Sequence, residues 1–240
     1  ELMFNLNQTK KLNLPDGTSI NYLLKKKYKL TISLRISSKG LVVNAPILMP
    51  SYQINKLLQK KSKWIQKKLL LTSYNNKIFK IKDGEKFKIF DKELCIALRT
   101  GPKNIYINKN QCFINFYDLS DEIRLKKFFI KWLKEYALKY FIQRVTNLCK
   151  KNNLKSQATF ISNAKTRWGT CNSKKEIRLN WRLIQSPAFV IDYVICHELS
   201  HLKFMNHSKD FWQQVNLLFP KYKEAEKYLK ENGFKLYQLD

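Results

Sequence analysis

The chain has 240 residues, of which 44% are hydrophobic and 13% aromatic, ample for the core of one large domain or two small ones and too much for a disordered chain. Its 46 basic residues against 18 acidic ones give a formal net charge of +28, a field that attracts nucleic acid or nucleotides at low salt whatever its origin. Only seven of the basic residues are arginine, and a chain so rich in Lys, Asn, Ile, Tyr and Phe is equally what an AT-rich genome encodes, so the charge alone names no partner.

Taken in chain order, "LTISLRI" alternates Ile32, Leu34 and Ile36 with Ser33 and Arg35, and "SSKG" leads into "LVVNAP", which predicts a hairpin. Ser51, after Pro50, is placed to cap an amphipathic helix to about residue 71, with Ile54, Leu57, Leu58, Trp64 and Ile65 on one side and lysines on the other. Asp83-Gly84 marks a turn, after which "KFKIF", "ELCIAL", "NIYIN" and "CFINFY" read as short strands of a meander. Ser120, Asp121 and Glu122 open a helix whose apolar stripe includes Phe129, Leu133, Ala137, Phe141, Val145 and Leu148 and stops at Asn152-Asn153; this stripe reads as core. The change in pattern near residue 118 divides the chain into a β-rich part, 1–118, and a second part, 119–240, in an α+β fold. No internal repeat is evident.

In the second part, "EIRLNWRLI" sets Ile177, Leu179, Trp181 and Leu183 against Arg178, Asn180 and Arg182, as a half-buried strand does. Ser186 and Pro187 stand as N-cap and first residue of a helix through "AFVIDYVICHELSHLKF". Its first half is apolar nearly all round and therefore buried, which makes its polar second half the anomaly.

All three histidines of the chain fall within "CHELSHLKFMNH". Helical positions four apart differ by about 40° around the axis and about 6 Å along it, so His197 and His201 point the same way and can share one metal ion. H-E-x-x-H on a helix is a zinc-hydrolase signature, in which two imidazoles hold Zn²⁺ and the glutamate, here Glu198, takes a proton from water at the metal. A continuing helix would carry His207 about 15 Å along the axis, so the chain must turn back to use it. Asn206 suits a left-handed helix end, and Ser208 with Asp210 starts another helix bearing Phe211, Trp212, Val215, Leu218 and Phe219. His207 is the expected third ligand, with Glu224 or Glu226 as the alternative; three imidazoles leave a position for water, the catalytic arrangement. Metzincins use the same ten-residue offset with a glycine where Phe204 stands, so the strict metzincin pattern is absent. Cys196 points about 100° away and belongs to the core. Tyr193 is either an oxyanion-stabilising group or an ordinary buried tyrosine, and Asp192 is a candidate acceptor for a ligand N–H.

Five scattered cysteines without a C-x-x-C pair suggest reduced thiols in a cytosolic protein. The opening "ELMFNLNQTKK" lacks the apolar core of a signal peptide, and no apolar run approaches the roughly 18 residues that span a bilayer. The expectation is a cytoplasmic protein without a membrane partner.

From "RWGTCNSKKEIRLNWRLIQSP" through "IDYVICHELSHLKFMNHSKDFW" to "KYLKENG", and forward to "LRISSKGLVVNAP" and "KSKWIQKKL", the chain resembles the YgjP-like metal-dependent hydrolases, relatives of the SprT and WLM metalloproteases. The resemblance implies a zincin-like catalytic domain with one Zn²⁺ on His197, His201 and His207 and with Glu198 as catalytic acid/base. It departs in one place, since Thr170 stands where the family commonly has serine. Arg167, Trp168, Asn172 and Arg178 are candidates to line a substrate cleft with Tyr193. A metallopeptidase is the first functional reading, with "EIRLNWRLI" as a cleft-edge strand pairing with a peptide or protein substrate. The alternatives are a hydrolase of nucleotide phosphate anhydrides, against which the missing Gly-rich phosphate loop counts, and a DNA-associated protease or nucleic-acid module using the basic surface.

Overall fold

The computed structural model describes residues 7–14, 17–37, 40–75 and 79–239. At its start two hairpins lie side by side. β1 (Asn7–Asn13) runs antiparallel to β2 (Ser19–Lys27), β3 (Ser33–Ser37) antiparallel to β4 (Gly40–Pro46), and β2 pairs with β4 in parallel, giving the order β1-β2-β4-β3. The β3–β4 pairing is the expected hairpin; turn residues 38–39 lie outside the described residues, as do residues 1–6 of the opening segment. Period-two alternation places Leu12, Tyr22, Leu24, Leu41, Val43 and Ala45 in one core with Ile54, Leu58 and Ile65 of the helices that follow, α1 (Ser51–Lys60) and α2 (Ser62–Asn75).

Two details differ from the expected single helix. Pro50, not Ser51, occupies the cap position, without a side-chain bond, while the Ser51 hydroxyl accepts a hydrogen bond from Lys10 at 3.2 Å. The helix also breaks at Lys61; beyond the break Ser62 takes an inward place and Trp64 is left exposed, with the Lys61 ammonium 6.0 Å from its ring centre.

The same topology then recurs. β5 (Lys86–Ile89), β6 (Lys92–Thr100), β7 (Asn104–Asn108) and β8 (Gln111–Phe116) form a sheet in the order β5-β6-β8-β7, again with a parallel central pair, and a helix follows, α3 (Glu122–Lys151). The four strands are those expected, but the parallel pair makes them two joined hairpins rather than a meander. Repetition is invisible in the residues because hairpin pairing, not residue identity, is what repeats. Phe90 and Asp91 close the first hairpin of this sheet with φ of 53° and 62°, the left-handed pair that a tight type I′ turn requires.

Asp121 caps α3 by accepting the Arg124 N–H at 2.9 Å, and Leu125, Phe129, Leu133, Ala137, Phe141 and Val145 are buried at four-residue intervals. This stripe shares one core with Phe87, Ile96 and Ile114 of the preceding sheet and with Ile177, Leu179 and Trp181 beyond it. The rings of Phe87 and Phe129 meet edge-on at 5.1 Å. The compact units divide at residue 78/79. The change in pattern at 118 is a change of secondary structure inside a continuous core.

Three strands, β9 (Ala158–Ser162), β10 (Gly169–Cys171) and β11 (Glu176–Asn180), follow in the order β10-β11-β9. The strand expected across "EIRLNWRLI" stops at Asn180, whose side chain accepts the Arg182 N–H at 3.2 Å and turns Trp181–Gln185 into a 3-10 helix. All five residues of that turn are buried, so the two-residue alternation carried no directional information there. The helices α4 (Ala188–Ser200), α5 (Lys209–Leu218) and α6 (Tyr222–Asn232) and a 3-10 turn, Gly233–Tyr237, complete an α+β architecture. Among the described residues no helix is long and apolar enough to cross a membrane.

Because α3 is covered by β5–β8, residues 79–240 produced alone are expected to melt cooperatively by circular dichroism, whereas residues 119–240 should not. Cooperative melting of the shorter piece would place the boundary near 118 after all.

Candidate metal centre

Burial carries α4 through the core: Val190, Ile191, Tyr193, Val194, Ile195, Cys196 and Leu199 are all buried. The helix starts one residue later than expected, with Pro187 as its cap, while the Ser186 hydroxyl donates to the Leu183 carbonyl at 2.6 Å and closes the 3-10 turn. His197 and Glu198 sit in its last turn and His201 is its C-cap. From there the chain unwinds through tighter bonds, His201 N–H to Glu198, Leu202 N–H to Leu199 and Lys203 N–H to Ser200. Asn206 is not among the residues of positive φ, so the expected left-handed cap is replaced by this unwinding. Ser208 then caps α5 as expected, its side chain accepting the Phe211 N–H at 3.3 Å.

This reversal brings the three imidazoles together. One nitrogen from each of His197, His201 and His207 lies within 4.8 Å of the others, and the Nε2 atoms of His197 and His207 are 3.1 Å apart. Tetrahedral zinc–nitrogen bonds of about 2.05 Å would hold their donors roughly 3.3 Å apart, so the set fits such an ion. The Phe204 carbonyl lies 3.0 Å from Nδ1 of His201; with the proton there, Nε2 is left as the free donor. Burial, then the neighbouring His201 and His207, push His197 down to about 4, and burial lowers His201 as well, so both are held without a second proton at neutral pH. Buried Phe211 forms the floor, with its ring centre 4.5–4.9 Å from each of the three imidazole centres.

Glu198 is 4% exposed, and burial pushes its carboxyl up to about 8. It fits because residue 169 is glycine: a Cβ built there would clash with the carboxyl group, 2.8 Å from Cδ of Glu198. Imidazoles and carboxyl open onto one cavity of about 450 Å³, also lined by Arg167, Trp168, Thr170, Cys171, Tyr193, Val194, Met205 and Leu229.

The YgjP-like, metallopeptidase domain family model matches residues 30–232. The chain belongs to the YgjP-like metallopeptidase family. No curated protein matches it. Among solved structures, the metallopeptidase zymogen jannalysin of Methanocaldococcus jannaschii is similar at 21% identity and a TM-score of 0.34, over 38% of this chain and 94% of that one. The zymogen abylysin of Pyrococcus abyssi is similar at 20% identity and a TM-score of 0.35, over 38% and 93%.

In this YgjP-like domain the other expected site residues divide. Arg167, Trp168 and Tyr193 line the cavity, whereas Asn172 and Arg178 are not among its lining residues. Asn172 instead exchanges hydrogen bonds with Glu176 at 2.9 and 3.0 Å, and Arg178 stacks 4.5 Å from the Phe160 ring centre. Tyr193 donates to Glu226 at 3.2 Å; Glu226, the alternative ligand, is thus committed elsewhere, and Glu224 is exposed. Asp192 does not face a histidine: it forms a two-pronged ion pair with Arg144 of α3, 2.6 Å at the Nη2–Oδ2 contact. Cys196 is wholly buried as expected, and burial pushes its thiol up to about 12.

Sequence reasoning missed Gly169 and the C-terminal turn. A Cβ at Gly233 would approach Cζ2 of Trp168 to 2.8 Å, Tyr237 packs 5.5 Å from the Trp168 ring, and its hydroxyl donates to Lys165 O at 3.1 Å. These residues lie just past the family match, yet they fasten the YgjP-like cavity wall. A glycine inside a strand was the available signal for the first; the second carried none.

Replacing His207 with Ala should lower bound zinc, measured by elemental analysis after dialysis, to well under one ion per chain, while Glu226→Gln should leave it unchanged. Asp192→Ala should cost about 1–2 kcal/mol in urea titration with zinc content unaltered; a loss of zinc instead would make Asp192 a support of the ligands.

Proposed function

We propose that this YgjP-like metallopeptidase holds one Zn²⁺ on His197, His201 and His207 and uses Glu198 as general base and acid on the α4 H-E-x-x-H helix of a zincin-like site. The observation that carries this reading is the convergence of three imidazoles beside a buried carboxyl in one cavity. A three-imidazole donor set suits zinc and would leave a coordination position for water. Zn²⁺ so held acidifies water and polarises a carbonyl oxygen.

The protein's own groups supply the rest. The proton affinity that burial confers suits Glu198 to take a proton from the attacking water and to hand it to the departing amine. Gly169 keeps the carboxyl where it is needed by presenting no side chain. The strand offered to an extended substrate is β10 and not the one expected: β11 lies between β10 and β9 with both edges paired, whereas β10 is an edge strand and all three of its residues line the cavity. Arg167, Trp168 and Tyr193 are the proposed substrate contacts.

The nucleotide and nucleic-acid alternatives gain no such support. Apart from the imidazoles, the lining residues offer a single cationic side chain, Arg167, where a triphosphate calls for several. Five unpaired cysteines agree with a reducing, cytoplasmic location.

Glu198→Gln is expected to lower cleavage of unfolded proteins and peptide libraries by at least about 100-fold while zinc content stays at one ion per chain. Undiminished cleavage by that variant would exclude Glu198 as the base.

A further inference from the structure

We infer that Arg167 recognises a carboxylate on the peptide substrate, so that cleavage is favoured where an acidic side chain or a free C-terminus lies beside the scissile bond. The inference rests on the peptidase reading above and adds a substrate class to it.

Three observations lead there. Arg167 lines the cavity that holds the three histidines, and the one carboxylate in that lining, Glu198, is buried against Gly169. Among the described residues the Arg167 guanidinium has neither an ion-pair nor a hydrogen-bond partner, whereas the Tyr193 hydroxyl of the same lining is committed to Glu226. Its backbone, by contrast, is clamped. The Arg167 carbonyl accepts from Asn180 Nδ2 at 3.3 Å and the Trp168 carbonyl from the Asn180 N–H at 2.8 Å. Asn180 Nδ2 and the Tyr237 hydroxyl both donate to Ala164 O, at 2.7 and 3.4 Å, and Trp168 is hemmed in by Gly233 and Tyr237.

A free guanidinium on a fixed backbone, exposed where it lines the cavity, is arranged to take a planar anion. Its five-donor fork matches both oxygens of a carboxylate, and only the side chain has to be ordered on binding. Side-chain and C-terminal carboxylates present the same chemistry, and the experiment separates them.

Zinc-loaded protein is offered peptides that differ only as Glu against Gln near the cleaved bond, and peptides with free against amidated C-termini. Binding of the same fluorescent peptides to Glu198→Gln is followed by anisotropy. Wild type is expected to favour one of the anionic forms by about 10- to 100-fold in kcat/KM, and the pair that shows the preference identifies the source. Arg167→Ala should abolish the preference, Arg167→Lys should restore part of it, and Arg167→Glu should shift it toward Lys-bearing peptides. Lys174→Ala, an exposed cation outside the cavity, serves as control. Equal preference in wild type and Arg167→Ala overturns the inference. Should wild type cleave nothing, the peptidase reading fails, and the carboxylate inference is then decided by anisotropy: equal binding of the Glu and Gln peptides overturns it.

Discussion

Everything at the centre depends on how the chain reverses after His201. An uninterrupted α-helix would have carried His207 away from its partners. The reversal is achieved by tightening the last turn of α4, by seating the His201 ring against the Phe204 carbonyl, and by restarting at Ser208. Phe211, one turn into α5, then supports all three rings at once. The same bonds that bend the backbone thereby aim the donors at one point, while burial lowers the proton affinity of His197 and His201.

The helix that presents them is held from the opposite side. Asp192 and Arg144 tie α4 to α3, and the apolar residues between Val190 and Leu199 lock it in the core. A polar end on a helix buried in this way can be placed accurately because its apolar end cannot move. Packing around a smaller feature sets the carboxyl: Gly169 lets β10 pass so close to α4 that Glu198 lies against bare backbone.

Much of this was readable in the residues. The spacing of His197, Glu198 and His201, the cap at Ser208 and the four-residue stripe of α3 all report local geometry, which a linear pattern encodes directly. What was not readable involved distant partners. Asp192 has several directions open to it on an isolated helix, and only the arrival of Arg144, 48 residues earlier in the chain, chooses one. "EIRLNWRLI" looked like one strand because alternation is uninformative where every residue is buried, and the deciding signal, Asn180 accepting from Arg182, is a single side-chain bond. The boundary expected near 118 rests on a change of pattern, whereas a core is defined by which faces meet, and α3 shares one with strands on both sides of that point.

The doubled arrangement of two hairpins and a following helix bears on the order of events during synthesis. Each central pair, β2 with β4 and β6 with β8, is parallel and forms only after an intervening strand has been made, so each sheet closes late relative to its own hairpins. The first such module is complete before any histidine has left the ribosome, and nascent domains commonly fold in that order. Its maturation therefore proceeds without a metal, whereas the second module gains its last imidazole, His207, only late in synthesis and its closing helices later still, which makes metal capture a late step of biogenesis and not a nucleating one.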